Sequence, residues 1–257
     1  MPVSNNFHEL LFELSNEDRY MILQTLKTGD HNVTNIAREL SLTTQESSRH
    51  LNRLAEQGLI KKTIPGEYTL TEYGSLILRQ SKGLIFASSN RAYYQNHKIP
   101  DLPTRFISRL CELDESRLIT DVMVGFALIE QIIDEAEEYI WRLTDRYNMM
   151  SLPKLEKATN RGVEFKLMQT KHFQFPPNWP GVGVILKEAR LRGVFDVRTS
   201  HEANLFIAMN EKEVAVLGFP MDENQFDYRG FSSSDTVFHS WCRDLFEYYW
   251  VDAVPVN

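Results

Sequence analysis

The chain of 257 residues is poor in cysteine and has no long hydrophobic run. Its two cysteines, Cys111 and Cys242, are too few for a disulfide framework and do not form a CxxC motif. We therefore expect two packed thiols that behave as small apolar side chains. No apolar segment approaches the roughly 20 residues that cross a bilayer, and the first residues lack the basic and apolar regions of a secretory signal. These absences predict a cytoplasmic protein with no membrane partner.

Positive charge is also scarce. The chain carries 28 lysines and arginines against 35 acids, which gives a formal net charge of −7. Because non-specific binding to nucleic acid comes from neutralising phosphates, this balance counts against a protein that coats nucleic acid indiscriminately. It leaves room for a small basic surface within an acidic protein.

The first eighty residues read as short helices separated by turns. Ser15, followed by Asp18 in the first turn, predicts an N-cap and a helix that runs to Leu26. A second helix is predicted over 34–40, and after a three-residue turn Thr43 and Glu46 form a capping box for a third. The two helices around that turn have helix-turn-helix proportions.

The segment after the third helix predicts a wing. Gly58 has the position of a C-terminal helix cap. Two short β-prone runs then flank Pro65 and Gly66, which is typical of a hairpin. Thr71 is placed to cap a further helix that runs to about residue 80.

The third helix sorts into an apolar and a polar face at 3.6 residues per turn. The face predicted to pack inward contains Ser47, His50, Leu51 and Leu54. The opposite face carries side chains that read base edges and hold phosphates in a major groove: Gln45, Ser48, Arg49, Asn52 and Arg53. Lys61 and Lys62 extend this positive surface onto the wing. The sequence therefore predicts a winged helix-turn-helix with double-stranded DNA as its partner.

The same residues resemble a known family. Ser48-Arg49-His50-Leu51, the following Gly58-Leu59-Ile60 and the later Tyr68-x-Leu70-Thr71-x-x-Gly74 are similar to the ArsR-like winged-helix regulators. The resemblance implies that the principal groove contacts are Thr44, Gln45, Ser48 and Arg49. Metal-sensing members carry a cysteine pair on the helix before the turn, and residues 35–40 have none here. We expect no metal and no cofactor.

From about residue 116 the pattern changes to alternating strands and helices. Two segments, 158–163 and 189–194, share the spacing Ala-x-x-Arg-Gly-Val, in which a glycine ends a helix just before a strand. Repeated helix-to-strand units indicate a mainly parallel sheet. The predicted fold is an α/β two-domain protein: a winged helix-turn-helix, mostly α with a β-hairpin wing, in 1–82, a helical connection in 83–115, and an α/β domain with a mixed, mainly parallel sheet in 116–257.

The resemblance continues along the chain. Asn90-Arg91-x-Tyr93-x-x-x-His97 and the closing aromatic segment 241–250 look like archaeal regulators that fuse a winged helix to a methanogenesis-regulator domain similar to phospholipase D folds. Active members of that fold use His-x-Lys-x-x-x-x-Asp. The matching stretch here starts at His201 but has Ala203 and Ala208 at the lysine and aspartate positions, so we expect no catalytic residue.

The second domain is accordingly predicted to sense a ligand or to pair two copies of the chain. Ligands of open α/β sheets sit near strand ends, where the sequence places Trp141, Arg142, Arg198 and His201. A small anionic or sugar-like effector and a homodimer are the expected partners besides DNA. Two alternatives stay open: a phosphodiesterase or nuclease that a winged helix targets to DNA, and a winged helix that binds another protein.

The last helix carries two weaker patterns. His239 and Cys242 are two potential metal ligands three positions apart, whereas a tetrahedral zinc site needs about four. The aromatic residues around them are more typical of a core than of a ligand site: Phe238, Trp241, Phe246, Tyr249 and Trp250.

Overall fold

The computed structural model describes residues 5–64, 66–177, 179, 181–221 and 225–256. The chain divides into two compact units, Met1–Lys82 and Gly83–Asn257. Pro65, which the sequence places in the wing turn, lies outside the described residues.

The first unit consists of helices and one hairpin. Its described helices are α1 (Asn5–Leu14), α2 (Glu17–Leu26), α3 (Val33–Glu39), α4 (Thr44–Glu56) and the start of α5 (Glu72–Ser89). The antiparallel strands β1 (Ile60–Lys62) and β2 (Tyr68–Leu70) pair as the wing. Apolar residues of α2, α3, α4 and both strands form one buried cluster. The predicted winged helix-turn-helix is confirmed.

Local sequence determines the turn between α3 and α4. Ser41 adopts the left-handed conformation with φ of 57°. Thr43 caps α4 as predicted: its hydroxyl accepts the amide of Glu46 at 3.1 Å, and the Glu46 carboxylate accepts the amide of Thr43 at 3.0 Å. This reciprocal cap fixes where α4 begins.

The start of α2 differs by one residue from the prediction. Asn16, and not Ser15, is the N-cap, since its side chain accepts the amide of Arg19 at 3.0 Å. The Ser15 hydroxyl instead donates to the carbonyl of Phe12 in the last turn of α1, because Ser15 directly follows that helix. That helix has no counterpart in the sequence prediction.

The second unit continues α5 and adds six α-helices and eight strands to the described chain. The helices are α6 (Arg91–Tyr94), α7 (Thr104–Ile107), α8 (Val122–Glu135), α9 (Leu152–Asn160), α10 (Val184–Leu191) and α11 (Thr236–Asp252). The strands are β3 (Arg117–Ile119), β4 (Tyr139–Arg146), β5 (Glu164–Gln174), β6 (Phe195–Thr199), β7 (Phe206–Asn210), β8 (Val214–Gly218), β9 (Gly230–Ser233) and β10 (Val254–Pro255).

These strands form one sheet in the order β10-β6-β5-β4-β7-β8-β9-β3. The mixed sheet is confirmed, but its description as mainly parallel needs correction. Among the described strands only β4–β5 and β5–β6 pair in parallel, and the other five pairings are antiparallel. The two helix-to-strand repeats account for the parallel pairs, because α9 and α10 are the crossovers that such pairing requires. Strands β7, β8 and β9 follow one another without helices and pair antiparallel.

Each face of the sheet carries its own core. Helices α8, α9 and α10 cover one face, where Ile140, Phe165 and Val197 are buried. Helix α11 covers the other face together with residues of 86–113. The aromatic residues of α11 lie in this second core, which confirms their structural interpretation.

The connection from β6 to β7 crosses one end of the sheet. Strands β4, β5 and β6 are parallel, and β7 lies beyond β4 in the opposite direction. Residues 200–205 must therefore pass over the carboxyl ends of β5 and β4. The amide of Ser200 fastens this crossing segment by donating to the carbonyl of Gln169 at 2.9 Å.

Candidate nucleic-acid interface

The amphipathic pattern of α4 matches its burial. Ser47, His50, Leu51 and Leu54 are buried, as predicted. The predicted reading face is accessible: Thr44, Gln45, Arg49 and Asn52 are exposed, and Ser48 and Arg53 are half-buried. The helix thus presents one continuous polar face on the side away from its core.

Arg49 and Arg53 are the two cations of this face. Of these, Arg49 forms no hydrogen bond or ion pair within the described part of the chain. Its side chain is exposed, on the turn of α4 that follows the capping box. A guanidinium carries donors in a fixed fork that matches two acceptors of a guanine edge or a phosphate. Arg49 is therefore geometrically available to a nucleic acid.

Arg53 is held differently. Its guanidinium forms a two-pronged ion pair with Glu13 of α1, at 2.5 and 3.2 Å. Glu13 is buried and also pairs with Arg19 at 2.8 Å. Chiefly through its hydrogen bonds to the carboxylate, Arg53 keeps the pKa of Glu13 below its ordinary value. Arg53 thus links α4 to α1, a role that the sequence did not reveal because the partners are forty positions apart.

The wing lysines are exposed. Lys61 and Lys62 both lie on β1, and the Lys62 ammonium lies 5.9 Å from the centre of the Tyr68 ring on the paired strand. At the tip of the wing Ile64 is 99% exposed. The wing therefore presents two cations and an apolar tip to solvent.

A close contact anchors the wing to α5. The Thr71 hydroxyl donates to the carbonyl of Gly58 at 2.7 Å and accepts the amide of Gly74 at 2.9 Å. A Cβ atom on Gly74 would stand 2.0 Å from the carbonyl oxygen of Leu59. The Thr71-x-x-Gly74 motif is thus explained by the close packing of α5 against the chain entering the wing.

The four residues suggested as ligand contacts do not converge on one site. Trp141 is buried beside Phe246 on the α11 face of the sheet. Arg198 lies under the Trp250 ring and binds Asp196. Arg142 is 4% exposed, and its Nε has no hydrogen-bond partner in the described part of the chain. His201 alone is exposed, on the crossing segment.

The residues considered for catalysis and metal binding lie in surroundings typical of residues that stabilise the fold. Ala203 and Ala208 are buried in opposite cores. The His239 ring contacts the carbonyl of Asn210 at 2.7 Å, and burial raises the pKa of the Cys242 thiol. Within the described ranges no three His, Cys, Asp or Glu side chains are grouped to hold a metal ion.

Comparison with known proteins identifies the first unit. A family model described as a winged helix-turn-helix matches residues 19–87. This match covers α2 to α5 and the wing, and the first unit is a winged helix-turn-helix domain. No curated protein matches the chain in sequence.

Solved structures resemble the chain only distantly. TrmBL2, described as an archaeal chromatin protein with a novel mode of DNA binding, is 15% identical over 94% of each chain, with a TM-score of 0.44. Nuc, a phospholipase D family member from Salmonella typhimurium, is 13% identical over 51% of this chain and 90% of its own, with a TM-score of 0.35. NucT from Helicobacter pylori is 11% identical over 55% and 97%, with a TM-score of 0.38. Likenesses of this size assign no function to the chain.

None of the helices in the described residues is both long and apolar enough to cross a membrane.

Proposed function

We propose that the protein is a transcriptional regulator that binds double-stranded DNA with α4 and the wing. The observation that carries the proposal is the exposed face of α4, on which Arg49 has no partner among the described residues. A helix that follows a helix-turn-helix turn fits the major groove and places its N-terminal residues at base edges. Gln45, Ser48 and Arg49 hold those positions.

The candidate contacts divide by role. Arg49 is assigned to base edges, with Thr44, Gln45, Ser48 and Asn52 beside it. Lys61 and Lys62 are assigned to flanking phosphates, since an ammonium neutralises a phosphate without reading the sequence. Arg53 binds Glu13 of α1 and so helps to hold α4 in place. We therefore expect replacement of Arg53 to lower the stability of the domain first.

The test uses a duplex that the wild-type protein selects from a random pool. With Arg49→Ala we expect weaker binding to that duplex by about 1–3 kcal/mol, with little change on a scrambled duplex. Arg79→Ala removes the same charge from exposed α5 and is the matched control. Fluorescence anisotropy at several salt concentrations measures both. An Arg49→Ala protein that still discriminates the two duplexes like wild type contradicts the assigned surface.

For the second unit we propose a non-catalytic role in sensing or dimerisation. We propose an ArsR-like archaeal regulator whose phospholipase-D-like domain has lost the groups for phosphoryl transfer, and Ala203 and Ala208 at the lysine and aspartate positions support that loss. A nucleophile without a charge clamp or an orienting acid is a poor catalyst. Hydrolysis of bis(p-nitrophenyl) phosphate that His201→Ala abolishes would instead support the phosphodiesterase alternative.

A further inference from the structure

The second unit has a groove that is formed by helical and loop segments alone. The groove lies where the end of α5 and the short helix α6 meet the segment 95–99 and Leu110, and it has a volume of about 440 Å³. None of the described residues that line it belongs to a strand or to the crossing segment. We call it the α5–α6 groove. Its volume lies within the range of small-molecule sites.

The walls of the α5–α6 groove are mainly apolar. The ring of Phe86 is buried, and the ring of Tyr94 packs edge to face on it with 6.2 Å between the ring centres. Ile99, which also lines the groove, is 42% exposed. Ala87 and Leu110 complete the apolar lining. Because removing apolar surface from water is favourable, these walls suit the hydrocarbon part of a ligand.

The charge of the groove comes from Arg91 of α6. Its side chain lines the groove, is exposed and forms no hydrogen bond or ion pair with the described residues. No acid stands among the described residues of the lining. His97 lines the groove as well, but its ring nitrogens are engaged: Nδ1 contacts the carbonyl of Tyr93 at 2.8 Å, and Nε2 contacts Asp227 at 3.1 Å. The uncompensated guanidinium therefore favours a ligand with a negative charge.

We propose that the α5–α6 groove binds an amphipathic carboxylate, with its aliphatic chain on the apolar walls and its carboxylate on Arg91. A guanidinium pairs with a carboxylate through two parallel hydrogen bonds, which a neutral head group cannot match. Gln95 is exposed on the same lining and offers an amide donor to the carboxylate. The chain supplies apolar burial and the carboxylate supplies orientation, so both parts of the ligand are needed.

The test is a calorimetric titration of the full chain, without DNA, with octanoate, octan-1-ol and acetate. We expect octanoate to bind with a Kd of about 1 mM or below. The other two are expected to bind at least about tenfold more weakly, because octan-1-ol lacks the charge and acetate lacks the chain. Arg91→Gln is expected to weaken octanoate at least about tenfold and to leave the melting temperature unchanged, since the side chain has no partner to lose. Arg243→Gln is the matched control, because Arg243 is an exposed arginine of α11 that does not line the groove.

A second pair of variants locates the binding. Ala87 is exposed and lines the groove, whereas its neighbour Ser88 is exposed and does not. Ala87→Trp is expected to weaken octanoate at least about tenfold, because the indole occupies the space of the aliphatic chain, and Ser88→Trp to leave the affinity unchanged.

The proposal is overturned by an absence of saturable octanoate binding up to about 10 mM, or by equal affinity for octan-1-ol. Equal effects of the two arginine variants, or of the two tryptophan variants, also overturn it. The titration contains no DNA and measures binding alone. The proposal therefore does not rest on DNA binding or on the sensing role of the second unit, and it fails separately from both.

Discussion

At the scale of single residues, Arg142 is the clearest anomaly. It lies in the middle of β4, between Leu167 of β5 and Ala208 of β7, and no described acid pairs with it. Burial lowers the pKa of its guanidinium to about 10, so the group is still cationic at neutral pH. We expect Arg142→Met to raise the free energy of unfolding by about 1–3 kcal/mol, since it removes an unsatisfied buried donor. Urea denaturation measures this free energy. A destabilised variant would show that Arg142 has a partner in solution.

The buried imidazole of His50 leads to a second prediction at the scale of single residues. Burial, together with Arg49 and Arg19, lowers the pKa of its imidazole, against the opposing effect of Asp18. Because the folded pKa lies below the unfolded value of about 6.5, the unfolded state binds more protons. Stability is therefore present above about pH 6.5 and falls as the pH drops toward the folded pKa.

We expect the winged helix to lose stability between pH 7.5 and 5.5, measured by amide hydrogen exchange of α4. His50→Gln is expected to flatten this dependence, whatever its effect at neutral pH. His8→Gln, at an exposed position on α1, is the control and should keep the wild-type slope. An unchanged slope in His50→Gln would assign the effect to other groups.

At the scale of elements, Glu13 joins α1 to α2 and α4. Removing one partner of a buried ion pair leaves the other charge uncompensated. Because Arg53 is partly exposed and Arg19 is buried, we expect Glu13→Gln to cost about 3 kcal/mol, at the lower end of that class. Glu9→Gln, an exposed acid on the same helix, is expected to change the melting temperature little. Similar melting temperatures for the two variants would contradict the linking role.

Two glycines of α5 differ in the space around them, so their alanine variants form a matched pair. Gly74→Ala places a Cβ 2.0 Å from the backbone oxygen of Leu59, and we expect a cost of about 3 kcal/mol or more. Gly83→Ala meets nothing nearer than 3.7 Å and is expected to stabilise by up to about 1 kcal/mol, the helix propensity of alanine over glycine. Thermal unfolding of both variants checks this contrast; equal effects would mean that α5 does not pack closely against the wing.

An element could be predicted when the interactions that form it involve residues close to one another in the sequence. The capping box of Thr43 and Glu46 acts within one turn, so the start of α4 was predictable. The edge strands β3 and β10, and β9 beside β3, were missed, because none of them has more than four residues. The ion pair of Arg53 and the burial of Arg142 could not be predicted from the sequence either, since both depend on tertiary packing.

The Ala-x-x-Arg-Gly-Val repeats show a further limit. In the sequence each arginine stands at the carboxyl end of its own helix, where a cation is expected to act on that helix's dipole. Instead Arg161 donates to carbonyls at the end of α8, including Ala136 at 3.1 Å, and Arg192 donates to the carbonyl of Thr159 in α9. Each repeat thus ties its helix to the end of the previous one.

At the scale of the whole molecule, we expect a homodimer. One winged helix covers a short half-site, and a two-fold pair reads a longer operator. Leu84 on α5 is 68% exposed within the segment 83–103 and is the contact we propose. Light scattering is expected to give twice the chain mass of 29.9 kDa, and Leu84→Glu to shift it toward the monomer.

Leu191→Glu controls for adding a charge, because Leu191 is 89% exposed on α10. A wild-type monomer at micromolar concentration would rule out the dimer. A stable Leu84→Glu dimer would place the contact elsewhere.

The position of β7 has a consequence for how the chain is made. Ile140 of β4 pairs with Asn210 of β7 at the centre of the sheet, so this sheet cannot close until most of the second unit has been synthesised. The winged helix depends on contacts much closer in sequence, which form faster. At about 5–20 residues per second, a ribosome needs on the order of ten seconds to complete the rest. During that time the nascent chain displays α4 and the wing before the sheet of the second unit has formed.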